Sequence, residues 1–364
     1  MARPFDAQPP QHSAMMKQHP KITFGMIVLN GEPFTRYNMR ALYPFAHQII
    51  VVEGACPAAR QNASADGHSL DGTLEILREF KANEDPENKV VLVTAEDEGY
   101  ADGFWPGEKD EQSRAYAKRA SGEWLWQVDV DEFYLPHDIE RVCREYLSRP
   151  DVSAISFKQI QFWGGLDYFV DGWYLRHRGG DEFHRLFRWG PGFSYAIHRP
   201  PTVVDEKGRN LRELGWMRGR TLAKRNIRLY HYSLVFPMQV QAKSAYYSGV
   251  AWGAFSEMSQ WAQNNYQKLG NPYRVHNTYE YPSWLETYTG THPPQILQMW
   301  TDIQNDTMKI GIVLRDNRDI QHIVNSKKYF LGKMFLKVGG SGLHQAKHVV
   351  KSAIALIPEN IRRK

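Results

Sequence analysis

Three carboxylates within four residues, Asp129, Asp131 and Glu132, close the segment Leu125-Trp126-Gln127-Val128-Asp129-Val130-Asp131-Glu132-Phe133. The mostly apolar run before them is short enough for one strand covered on both faces of a parallel sheet. In extended chain Asp129 and Asp131 stand two apart and project to the same side. Two carboxylates converging at a strand's carboxyl end make a hard-oxygen site suited to Mg2+ or Mn2+. Open α/β sheets also bind their ligands at that end. An incomplete cage leaves the ion room for the diphosphate of a nucleotide. A lone D-x-D also occurs as a helix cap or a solvated acidic turn; the buried strand in front and the third acid behind favour the metal.

The elements that must position this turn alternate along the chain. Ile22–Leu29, Gln48–Val52, Lys89–Thr94, Trp124–Val128 and Val152–Phe157 have the composition of strands. Between them, Thr73–Lys81, Asp110–Ala120 and Asp138–Leu147 have helical spacing. Strands separated by helices imply βαβ crossovers and a mainly parallel sheet flanked by helices. Residues 1–20, with four prolines, form a loose leader. Residues 21–235 form the catalytic domain, with a nucleotide-binding half over 21–135 and an acceptor half over 136–235. Residues 236–364 form a mostly helical C-terminal region.

Composition narrows the class. A hydrophobic fraction of 42% and an aromatic fraction of 13% suffice for a core. No run approaches the roughly 18 apolar residues of a membrane span, and the N-terminus lacks a secretory signal pattern. Cys56 and Cys143 give neither a disulfide framework nor zinc spacing, so buried thiols in the cytoplasm are expected. The net charge of +5 is uneven: from Gln321 to Lys364 nine Lys or Arg accompany one acid, Glu359, giving that stretch +8 and the first 320 residues −3. The basicity therefore belongs to the tail, and no nucleic-acid stripe crosses the body.

The order of motifs resembles the family 2 glycosyltransferases of the GT-A fold, a Rossmann-like nucleotide-binding architecture. Asn30-Gly31-Glu32 follows the first strand, and Ile49-Ile50-Val51-Val52-Glu53 ends the second. Ser69-Leu70-Asp71-Gly72-Thr73 resembles the family's S-x-D-G-T helix start, and Ala120-Ser121-Gly122-Glu123-Trp124 its A-x-G-E-Y lead into the metal strand. The chain departs in the insertion Cys56–His68, and in Ser113-Arg114 where the family often has R-N. The resemblance implies a metal-dependent transfer of a sugar from a nucleotide-sugar donor, a uridine diphosphate sugar first, to a hydroxyl of a glycan or glycolipid, with inversion. Asn30 and Glu32 then contact the nucleotide, and Lys109 or Arg114 supplies the charge for the diphosphate.

Chemistry assigns further roles. A divalent ion neutralises the leaving diphosphate as a Lewis acid, with Asp131 as direct ligand and Asp129 near ribose and metal. Glu53 suits the N–H of uracil, guanine or thymine; equally, it suits loop amides at a strand end. Asp71 caps the helix starting near Thr73. His231, in Leu229-Tyr230-His231-Tyr232-Ser233, completes the metal site by resemblance or is a satisfied core histidine, and His198 lines the acceptor side. The acceptor's base must stand within hydrogen-bond reach of its hydroxyl; Asp181 and Glu182, after Gly179-Gly180 and before Arg185, are preferred to Asp205 and Glu206. Phe162-Trp163, Trp173-Tyr174 and Trp189 are either sugar-stacking platforms or core.

Two other classes compete. A haloacid dehalogenase-type phosphatase normally has Thr or Val two residues after the second Asp, where this chain has Phe133. A glycan-binding protein without activity would not need Asp129 and Asp131 intact. Finally, Leu343, Ala346, Val349, Val350, Ala353, Ile354 and Ile357 form an apolar face with Lys347, His348 and Lys351 nearby. This amphipathic stretch either lies on the inner face of an anionic membrane or packs onto the catalytic domain.

Overall fold

The computed structural model describes residues 20–177, 182–248, 258–276, 281–308 and 310–338. The parallel sheet expected from the alternation is present: β1 (Ile22–Val28), β2 (Gln48–Glu53), β3 (Val90–Val93) and β4 (Trp124–Gln127) lie in the order β3-β2-β1-β4. Their side chains alternate between two buried layers. Ile49, Val51 and Trp126 face the cluster holding Leu77, Phe80 and Ile139, whereas Ile50, Val52 and Leu125 face the one holding Ala115 and Tyr116. Helices cover both faces, which is why these strands are apolar throughout.

The sheet then changes character. It continues through β5 (Glu132–Phe133), β6 (Ala154–Trp163), β7 (Tyr168–Gly172) and β8 (Glu182–Arg188), while β9 (Ser194–His198) and β10 (Pro201–Val204) form a separate hairpin. The segments β11 (Trp216–Met217), β12 (Leu229–Leu234) and β13 (Ser283–Thr287) complete an eleven-stranded sheet. β8 enters antiparallel between β4 and β6, and β7 and β13 continue antiparallel to the far edge. Among the described residues, the C-terminal region is thus helical with one strand that closes the sheet.

The helices are α1 (Thr35–Leu42), α2 (Thr73–Asn83), α3 (Lys109–Ala117), α4 (Pro136–Val142), α5 (Trp173–His177), α6 (Leu211–Gly215) and α7 (Gly219–Ala223). After them come α8 (Pro237–Ser248), α9 (Met258–Trp261), α10 (Pro294–Gln304), α11 (Arg318–Val324) and α12 (327–338). The helix expected over 138–147 starts at Pro136, and its last turns widen into a π-helix over Cys143–Leu147. Cys56 and Cys143 are buried free thiols. Among the described residues no helix is long and apolar enough to cross a membrane.

The aromatic segments after residue 157 are mostly core. Phe162 stacks on Tyr232 with centroids 4.5 Å apart, and Trp163 donates its Nε1–H to the Val275 carbonyl at 3.0 Å. Trp173 and Trp189 donate to the carbonyls of Leu336 and Ala120. Only Tyr174 of the expected platforms lines the large cavity described below.

One glycine sets the spacing between sheet and helix. A Cβ at Gly25 would stand 2.5–2.9 Å from the Tyr116 ring of α3, so its absence lets that ring lie against β1. Gly25→Ala is expected to force Tyr116 outward and destabilise the fold by about 1–3 kcal/mol, measured by chemical denaturation; an unchanged midpoint would show that the ring relocates freely.

Candidate active site

β4 ends at Gln127, and Asp129–Asp131 form a turn rather than the extended continuation expected from the sequence. The Glu132 amide donates to the Asp129 carbonyl at 2.9 Å, and the Glu132 carboxylate accepts from the Asp129 amide at 3.1 Å. β12 holds the far side, where the Tyr232 amide donates to the Asp131 carbonyl at 2.9 Å. The turn nevertheless presents Asp129 and Asp131 to one cavity of about 680 Å³ at the carboxyl ends of β1 and β4.

Arg185 of β8 binds the turn from beneath. Its guanidinium donates twice to Glu132, at 2.8 and 2.5 Å, and once to Asp129, at 3.0 Å. Glu132 is wholly buried and Arg185 nearly so. Burial works against ionising Asp129, but Arg185 and then Lys109 outweigh it and hold its carboxyl below the ordinary range.

Asp131 has different partners. Lys243 of α8 donates its Nζ–H to Asp131 Oδ2 at 2.8 Å, and His231 Nε2 stands 3.4 Å from Oδ1. Burial opposes ionisation here too, and Lys243 followed by His231 overcomes it, so Asp131 is held well below the carboxylate range. His231 Nδ1 lies 2.7 Å from Gln159 Oε1. A carbonyl oxygen only accepts, so Nδ1 carries a proton, and Nε2 is the nitrogen that faces Asp131.

Two more cations line the cavity, Lys109 and Arg199. Burial, and then repulsion from Arg199, pushes the Lys109 ammonium down to about 8. His198 also lines the cavity, but burial and then Lys109 push it down to about 2, so it is neutral. Its Nδ1 contacts the Ser113 hydroxyl at 2.8 Å.

The donor-side expectations divide. Asn30 and Glu32 line the cavity. Asn30, at φ +53°, uses its amide to fix neighbouring loops, donating to the Asn62 carbonyl at 2.6 Å and accepting from the Leu70 amide at 2.7 Å. Burial pushes the Glu32 carboxyl up to about 7, and its Oε1 has no hydrogen-bond partner. Glu53 takes the loop role instead of base reading: it accepts from the Ser69 amide and hydroxyl at 2.8 and 2.7 Å and contacts His68 Nδ1 at 2.7 Å, wholly buried behind the cavity wall. Arg114 lies away from the diphosphate place expected for it. It pairs with Glu111 and donates to the Ala196 carbonyl on the surface, outside the cavity. Asp71 accepts from the Thr73 amide and hydroxyl at the start of α2, and from the Glu32 amide at 2.9 Å.

Of the base candidates, Asp181 lies outside the described residues. Glu182 lines the cavity while accepting from the Gly219 amide of α7 at 2.8 Å. Asp205 is tied into its own turn with Arg209, and neither it nor Glu206 lines the cavity. Lys243 was not anticipated, although a signal existed: it is the one charged residue in Pro237–Ser248.

Among the described residues no group of three or more His, Cys, Asp and Glu side chains clusters as a metal site. The donor chemistry still fits a hard divalent ion, since the Asp131 carboxylate and Nε2 of His231 face each other and Asp129 stands on the same cavity.

No family model matches the chain, and no curated protein does. Among solved structures it is similar to a mannosyltransferase from Pyrobaculum calidifontis in complex with GDP-Man and Mn2+, at 16% identity and a TM-score of 0.31, over 51% of this chain and 48% of that one. It is similar to glucosyl-3-phosphoglycerate synthase from Mycobacterium tuberculosis with Mn2+, UDP and glucosyl-3-phosphoglycerate, at 15% identity and a TM-score of 0.28, over 40% and 45%. S. aureus TarS matches at 15% identity and a TM-score of 0.27, over 39% and 36%. The chain spans under half the length of each of these structures.

Arg185→Met is expected to leave Glu132 as an uncompensated buried charge and to cost about 3–5 kcal/mol of stability; a loss below about 1 kcal/mol in denaturant titration would contradict this role. Glu32 gives a pH signature. Its raised pKa means the folded state holds a proton that the unfolded state has lost between about pH 4.5 and 7, so stability falls as pH rises through that window. Glu32→Gln removes the loss. The variant is expected to match wild type near pH 4.5 and to exceed it above pH 7 by up to about 3 kcal/mol in thermal or denaturant unfolding.

Proposed function

We propose that this chain is a GT-A glycosyltransferase of the D-x-D type that moves a sugar from a nucleotide-sugar donor to a hydroxyl acceptor, with Mn2+ or Mg2+ bound at Asp131, His231 and Asp129. One observation carries the proposal. Asp129 and Asp131 stand at the carboxyl end of a parallel strand, on a cavity that also holds Lys109, Arg199 and Lys243. Paired carboxylates beside clustered cations suit a diphosphate with its counter-ion.

The residues divide the work. Lys109, Arg199 and Lys243 supply positive charge to a leaving diphosphate in a half-enclosed site, where charge acts more strongly than in water. The divalent ion, when bound, adds Lewis-acid stabilisation at the same oxygens. The walls at the ends of β1 and β2, including Asn30 and Asn62, suit the nucleoside. Uridine is the proposed base on the motif order alone, because Glu53 is committed to Ser69. Asp181 and Glu182 are the proposed pair from which a base takes the acceptor proton, with inversion. The acceptor is proposed as a glycan or glycolipid hydroxyl, met at the cytoplasmic membrane face. The amphipathic stretch at 343–357 lies outside the described residues.

Asp131→Asn is expected to abolish transfer, and to weaken Mn2+-dependent binding of uridine diphosphate on the order of 100-fold, while the far-ultraviolet circular dichroism is unchanged. Calorimetry with uridine, guanosine and adenosine diphosphates tests the donor, and the uridine nucleotide is expected to bind tightest. Wild-type turnover by the variant, or binding of none of the nucleotides with Mn2+ present, would overturn the proposal.

A further inference from the structure

α12 docks on the sheet edge by one side only. The Tyr329 hydroxyl accepts from the Leu285 amide of β13 at 2.8 Å, and the Leu336 carbonyl accepts from Trp173 Nε1 at 3.0 Å. Lys333 and Lys337 reach the Glu286 carboxylate at 2.7 and 2.8 Å. These four contacts fix the rotation of the helix.

That rotation turns Phe330, Leu331, Met334, Phe335 and Val338 outward, with exposures of 58, 66, 46, 78 and 71%. At 3.6 residues per turn they occupy an arc of about 140°, opposite the docked side. Five large apolar side chains contiguous on one helix face mark an interaction surface rather than scattered exposure.

Charge selects the partner. Exposed Lys327 lies within the same arc, at its N-terminal end, and exposed Lys328 lies at its margin. A second copy packed face to face would offer these lysines only apolar side chains or the same lysines, and no acid. The segment 339–364, with five Lys or Arg and one acid, offers them little more. An anionic bilayer answers both features, because the apolar side chains enter the acyl boundary while the lysines remain among the headgroups.

We propose that the outer face of α12 is a docking surface for an anionic lipid bilayer. Full-length protein is expected to co-sediment with vesicles of phosphatidylcholine mixed with phosphatidylglycerol, and not with phosphatidylcholine alone. Leu331→Glu with Phe335→Glu is expected to lower the bound fraction on the order of ten-fold. Lys327→Glu with Lys328→Glu is expected to lower it on the mixed vesicles as well. Thermal unfolding and nucleotide binding by both variants are expected to match wild type, which separates this surface from the cavity. Absence of wild-type binding, or undiminished binding by the Leu331/Phe335 variant, would overturn the proposal. So would a solution dimer that this variant dissociates, which would give the face to a second copy.

Discussion

Three carboxylates sharing one four-residue turn repel one another, and the Arg185 guanidinium lets them coexist. It binds the wholly buried Glu132 through two N–H groups and the part-exposed Asp129 through a third. Arginine suits this task because it keeps its charge at any ordinary pH and its fork matches a carboxylate. The need also bears on the topology. β8 pairs with β4 so that Leu186 stands opposite Trp126, which brings the preceding residue to the point where β4 gives way to the turn. The change from parallel to antiparallel sheet therefore falls where the charge is required.

With Asp129 committed to Arg185, Asp131 is the carboxylate left to meet a mobile cation. Lys243 fills that place by reaching from α8. Asp131 thus remains ionised with a protein partner, and the same lysine stands ready beside a phosphate oxygen. Lys109, whose ammonium burial pushes down to about 8, has a complementary property: an entering anion would favour its charged form.

The parallel half was legible because its strands are continuous apolar runs set off by helical spacing, and Asp129 and Asp131 stood out at the end of one. The cation partners were not, since Arg185 lies 56 residues from Asp129 and Lys243 lies 112 from Asp131, a proximity that only the folded sheet creates. Glu53 illustrates a residue type that sequence cannot resolve: a strand-end carboxylate serves a ligand or its own loop equally well, and here the Cys56–His68 insertion delivers Ser69 to it. The short helix α1 escaped notice because it has no acidic residue in its first turn and only eight residues to show a period. Tryptophan and phenylalanine after residue 157 likewise serve core and site with the same letters.

The last strand of the sheet has a bearing on how the protein is made. β13 pairs with β7 more than a hundred residues upstream, and among the described residues it supplies the final edge of a sheet whose other strands all precede residue 235. A ribosome that has synthesised the whole nucleotide cavity has therefore produced a chain whose β7 edge, Tyr168–Gly172, still lacks its partner. At roughly 5–20 residues per second this edge stays open for several seconds, offering unpaired amides and carbonyls to any other nascent strand. The stretch from α9 to β13, none of whose described residues lines the cavity, thus has a protective task, since it delivers the strand that seals the sheet.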